Sequence, residues 1–146
     1  MPNIDTEKVL SAHNKWRQEV GTPDLTWSDD LAKFAQEWAN KLAKDNSFEH
    51  RPDNKYGENI YQGTKKSVEP QEVVDYWASE KKDFKYGTFP DVVKDPQKDW
   101  SDVGHYTQII WKNTKEVGCG VAQSNQHEIW VCNYAPAGNF TGEKPY

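Results

Sequence analysis

VGCGVAQSNQHEIWVCNY, residues 117–134, decides the fold class of this chain. Val117, Cys119 and Val121 alternate with smaller residues, and residues 128–134 alternate again, which is the period of two expected for β-strands. A two-residue loop at Asn125-Gln126 sets Ser124 opposite His127 and, counting outward, Cys119 opposite Cys132. Directly opposed strand residues bring their Cβ atoms close enough for a disulfide. The alternative is a redox or metal-binding thiol pair, although the spacing is not the CxxC of such motifs. Closing a loop of about 13 residues contributes on the order of 3 kcal/mol in the chain-entropy account, and a disulfide places the chain in an oxidising compartment.

Upstream of the hairpin the periodicity changes to that of helices. Val9, Leu10, His13, Trp16 and Val20 recur at spacings of three and four within residues 4–20, and a turn follows at 21–24. Ser28 reads as an N-cap, with Asp29 and Asp30 in a first turn favoured by the helix dipole, and Leu31, Phe34, Ala35, Trp38, Leu42 and Ala43 mark a second helix. Residues 46–63 lose regularity and read as loop and turn. Pro70 opens a third helix carrying Val73, Val74 and Trp77. Residues 84–102 read as a long loop rich in Gly, Pro, Asp and aromatics, 103–111 as a short helix, and the tail from Ala135 as irregular. Helices and an antiparallel hairpin together make an α+β protein, with residues 1–146 expected to form one domain and 135–146 its C-terminal tail.

Composition narrows function by exclusion. Only 35% of residues are hydrophobic, yet seven Trp, seven Tyr and five Phe supply large apolar areas for a core. The net charge of -5 offers no basic stripe, so nucleic acid is not an expected partner. No apolar run of about 18 residues is present, so no membrane span is expected. The N-terminus, MPNIDTEKVL, lacks the basic start and apolar stretch of a signal peptide, although an export signal can be removed before maturity. A monomer is expected.

The titratable residues differ in information. His13 lies on the apolar stripe of the first helix and reads as a core or boundary histidine, while His127 beside the turn reads as solvated. Glu80 follows Trp77 by three and Val73 by seven, on the inward helix face, where a charge is costly unless it finds partners. Fraying of the helix near Lys81 would solvate it instead. Glu58 sits in YGENI, between aromatic and aliphatic neighbours.

Several segments resemble the CAP superfamily of cysteine-rich secretory proteins, antigen 5 and pathogenesis-related class 1 proteins. They are HNKWR (13–17), LTWSDDLAKFAQEWA (25–39), YGENIY (56–61), HYTQIIW (105–111) and CNYAPAGN (132–139), in family order over about residues 7–146. The resemblance implies an α-β-α sandwich around a three- to four-stranded antiparallel sheet, with a cleft lined by His50, Glu58, Glu80 and His105. It implies zinc or another divalent cation held by His50 and His105, with Glu58 and Glu80 orienting the imidazoles or binding through water. A buried polar network without metal is the alternative. It also implies an extracellular binding module for a sterol, fatty acid or other small apolar ligand. The aromatic loop Phe84, Tyr86, Phe89 and Trp100 would cover that ligand or simply pack on the core. Defence or extracellular signalling is the implied setting, with no established catalytic activity. A metal-dependent peptidase or esterase using the same tetrad is the alternative, although no GxSxG or HExxH is present. The chain has two cysteines where many eukaryotic members have six or more. Residues 136–146 resemble the C-terminal defence peptide of the plant proteins, and Asn139-Phe140-Thr141 is a glycosylation sequon.

Overall fold

The computed structural model describes residues 4–64 and 68–146, so the first three residues of the expected domain, and of the N-terminal stretch read for a signal peptide, lie outside the described residues. Among those described, four helices, α1 (Thr6–Glu19), α2 (Asp29–Asp45), α3 (Pro70–Ala78) and α4 (Gly104–Ile110), flank a sheet of four strands. The strands are β1 (Thr26–Trp27), β2 (Gly57–Thr64), β3 (Glu116–Gln123) and β4 (His127–Ala135), in spatial order β1-β3-β4-β2.

The hairpin has the counted register: Gln123 faces Glu128, Cys119 faces Cys132, and Ser124 N–H donates to His127 O at 2.8 Å. Cys119 and Cys132 form a disulfide with their Cα atoms 4.1 Å apart. Two features of the sheet differ from expectation. Residues 57–63, part of the stretch read as irregular, belong with Thr64 to an eight-residue strand paired antiparallel with β4. Their two glycines and single Ile-Tyr pair hide an edge strand that leans on β4 and α3 rather than on its own alternation. The sheet is also mixed, not wholly antiparallel, because the short β1 runs parallel to β3 with Thr26 opposite Glu116.

The pleat of the hairpin separates two cores. Val117, Cys119, Val121, Trp130, Cys132 and Tyr134 face the layer of α1, α3 and α4, whereas Ala122, Ile129 and Val131 face α2. On the α2 side the helix rides close to the strand because Gly118 and Gly120 carry no side chain. A Cβ on Gly118 would stand 2.2 Å from Ala32 N, and one on Gly120 2.5 Å from Gln36 Cα. The result is an α-β-α sandwich. Ser28 caps α2 by accepting from Leu31 N–H at 3.1 Å, and Pro70 occupies the first turn of α3, as the sequence predicts. No helix among the described residues is long and apolar enough to cross a membrane.

The stretch after α3 is where the site is built. The α-helix tightens into a 3₁₀ turn at Ser79–Asp83, which places Glu80 at the turn rather than on a continued helical face. Of the four aromatics in the 84–102 loop, Phe84 and Phe89 are buried in the larger core, so they are not an exposed ligand cover. Tyr86 lies against Tyr146 with ring centroids 4.8 Å apart. Trp100 is 44% exposed and rests on Phe89 and on the surface left open by Gly104. The tail is tied to this loop: Phe89 N–H donates to Glu143 O, Gly142 N–H to Phe89 O, and Lys112 N–H to Pro145 O.

Candidate functional site

Folding gathers the four sequence-predicted residues into two carboxylate–imidazole pairs of matching design. Glu58, at the start of β2, accepts from His50 Nδ1 at 2.8 Å and from Arg51 N–H at 3.0 Å through one oxygen. Its other oxygen accepts from Asn54 Nδ2 at 3.1 Å and Asn133 Nδ2 at 3.4 Å. Glu80 accepts from His105 N–H at 2.9 Å and Tyr106 N–H at 3.1 Å through Oε1, and its Oε2 meets His105 Nδ1 at 2.8 Å. Each carboxylate therefore holds both an imidazole and the backbone beside it. Because a carboxylate only accepts, each Nδ1 carries a proton and each Nε2 of the neutral ring keeps its lone pair.

The elements supply the positions. Glu80 takes two otherwise orphaned N–H groups of the seven-residue α4, doing the work of an N-terminal cap that Val103 cannot do. Trp77, the last large core residue of α3, stacks parallel on the His105 ring at 5.9 Å and anchors itself by donating from Nε1 to Ile60 O. Asn139, in left-handed backbone at φ 58°, donates to Gly104 O and accepts from Thr107 Oγ1, so the amide of the sequon is committed to the start of α4.

His50, Glu58 and His105 line one open cleft of about 450 Å³, together with Arg51, Trp100 and Asn139. Glu80 does not line it. Glu80 borders a neighbouring cavity, and His105 stands between the two. The cleft is thus lined by two imidazoles and one of the two glutamates, contrary to the four-residue lining expected. Among the described residues no three His, Cys, Asp or Glu converge closely enough to hold a metal by themselves. Imidazole Nε2 lone pairs backed by carboxylates are a donor type that zinc takes, and a cation held by these two would need its remaining donors from elsewhere.

Behind the cleft runs a buried chain that sequence reasoning reached only at its first member. His13, fully buried, donates from Nδ1 to Val9 O at 2.8 Å and accepts at Nε2 from Tyr134 Oη at 2.7 Å. Tyr134 Oη accepts from Asn59 Nδ2, which also donates to His105 O at 3.2 Å. Burial lowers the His13 pKa from 6.5 to about 4 and pushes the Tyr134 phenol up. A folded-state pKa below the unfolded value means that acid favours the unfolded chain: the contribution is intact above about pH 6.5 and lost as pH falls toward 4. At about 1.4 kcal/mol per unit this amounts to roughly 3 kcal/mol. Proton NMR should find the His13 ring titrating near pH 4, and His13→Gln should flatten acid destabilisation by a comparable amount. A midpoint near 6.5 would contradict the buried neutral ring.

The family model described as "CAP: Cysteine-rich secretory protein family" matches residues 10–134. The chain belongs to the CAP family. It is 37% identical to pathogenesis-related protein 1A of Nicotiana tabacum over 141 residues, covering 96% of this chain and 80% of that protein. Venom allergen 5 of Polistes fuscatus is 36% identical, with 94% of this chain and 77% of the relative covered. The crystal structure of NaASP2 with Zn2+ superposes with a TM-score of 0.77 at 24% identity, over 100% of this chain and 86% of that one, and shares the fold. Within this CAP domain the residues that sequence reasoning missed are the donors to the glutamates, Asn54 and Asn133, and the link Asn59. Their polar side chains in irregular or edge segments carry no periodic signal.

Proposed function

We propose that this CAP domain is an extracellular, non-catalytic binding module of the defence type, with a divalent-cation site at its cleft formed by His50 and His105. The observation that carries the reading is the saturation of both glutamates by imidazole and amide donors, which directs each ring to offer Nε2. Zinc, when bound, supplies a Lewis-acidic point that can take a donor atom from a ligand. Glu58 and Glu80 fix ring orientation and tautomer, and Trp100 and Asn139 shape the cleft around it. The pathogenesis-related and venom-allergen names of its relatives support a secreted setting, as does the disulfide.

The test is calorimetric titration with Zn²⁺ at pH 7.5 on the folded protein and on His50→Ala and His105→Ala. Each variant is expected to bind at least about tenfold more weakly. Binding should also weaken at pH 5, where protons compete for imidazole nitrogen. Affinity unchanged in both variants would refute the site.

A sterol or fatty acid in the cleft would meet Trp100 rather than a cover of four rings, since Phe84 and Phe89 serve the core. Trp100→Ala is accordingly the variant to compare in a labelled-sterol titration. The peptidase or esterase reading has less support. Both glutamates are spent on their histidines, and Ser101 Oγ donates to Asp99 at 2.5 Å rather than to a base in the cleft.

A further inference from the structure

The neighbouring cavity, of about 420 Å³, lies in the angle between β2, α3 and the 3₁₀ turn after α3. That volume is within the range of ligand clefts, about 300–1,000 Å³. Three aromatic rings converge on it. Tyr76 is 65% exposed, Phe48 is 46% exposed, and Tyr61 meets Tyr76 edge to face at 5.6 Å. Isolated exposed rings are ordinary on a protein surface, whereas several around one hollow mark a place that holds something. The remaining wall is polar and includes Gln62, Ser79, Lys82 and Asp83.

Charge decides between ligand classes. Glu80 spends both oxygens on α4 and His105, and Asp83 accepts from Lys98 Nζ at 3.1 Å, so neither carboxylate waits for a cation. An anion would find one ammonium, Lys82, set against those two carboxylates in the same wall. A wholly apolar molecule would strip water from the polar wall without replacing its hydrogen bonds. What suits both walls is a neutral, hydroxyl-rich ring with a flat C–H face: the face stacks on Tyr76 and Phe48, and the hydroxyls bond along Gln62 and the turn.

We propose that this cavity is a second binding site, for a neutral oligosaccharide. It goes beyond the cation site, with which it shares His105 and the Glu80 that orients that ring. The probes are cellohexaose, xylohexaose, chitohexaose and maltohexaose, titrated by heteronuclear NMR into the folded protein. At least one is expected to saturate, with shifts centred on Tyr61, Tyr76 and Trp77. Tyr76→Ala should weaken that binding about tenfold or more, while Tyr76→Phe, which keeps the ring, should stay within about threefold. Both changes lie at the surface, so the dispersion of the spectrum verifies that the fold persists. His50→Ala should leave sugar binding unaltered, so this site and the cation site fail separately. Saturation by none of the four sugars, or binding indifferent to Tyr76→Ala, would overturn the proposal.

Discussion

Arg17→Met is expected to destabilise the protein by about 3–5 kcal/mol, as measured by urea unfolding. Arg17 is fully buried although, among the described residues, no carboxylate pairs with its guanidinium at salt-bridge distance. Its guanidinium instead donates to four carbonyls: Nε to Pro23 O at 2.6 Å, Nη1 to Ile109 O at 2.9 Å and Trp111 O at 2.8 Å, and Nη2 to Thr114 O at 3.0 Å. Burial lowers its pKa to about 10, so it remains charged at neutral pH. Two of the carbonyls close the C-terminal end of α4, where a cation also complements the helix dipole. Methionine fills much of the space but leaves the carbonyls without donors, and each buried unpaired group costs about 1–3 kcal/mol. Removing the desolvated charge offsets part of that sum. Arg17→Lys should recover little, because one ammonium cannot reproduce the planar fork that reaches four acceptors. A loss below about 1 kcal/mol for Arg17→Met would show that the clamp contributes no net stability.

Glu80→Gln should reduce Zn²⁺ affinity by about 10- to 100-fold while leaving most of the folding stability in place. The amide oxygen can still accept from His105 and Tyr106 N–H, so α4 keeps its cap. The amide nitrogen, however, donates toward His105 Nδ1, and the ring answers by moving its proton to Nε2. That nitrogen then has no lone pair for a cation. Glu80→Ala differs in a measurable way, since it removes the cap as well and should add about 1–2 kcal/mol of destabilisation. The readouts are calorimetric Zn²⁺ titration for affinity and ¹⁵N NMR of the imidazole for the tautomer. If Glu80→Gln kept both the Nδ1–H tautomer and wild-type affinity, the orienting role of Glu80 would be wrong.

What could be read from the sequence were features whose cause is local. Ser28 and Pro70 start helices because a cap and a fixed φ act within one turn. Cys119 pairs with Cys132 because a two-residue turn sets the register of a hairpin. YGENIY and HYTQIIW contain Glu58 and His105, and the family resemblance added His50 and Glu80, so the chemistry of the four could be stated in advance. Tertiary structure alone decided how they are used. β2 exists because β4 and α3 support it, not because GENIYQGT alternates. Phe84 and Phe89 turned inward because the loop closes on the tail and on α4. Arg17 shares a helix face with His13 four residues earlier, a visible oddity on an apolar stripe, but its four acceptors come from segments up to 97 residues away. Which oxygens of the two carboxylates hold an imidazole, and that Glu58 reaches the cleft while Glu80 borders the neighbouring cavity, was decided for the same reason. A hydrogen-bond partner is chosen by distance in space, and the chain's own order contains no measure of it until helices and sheet have packed.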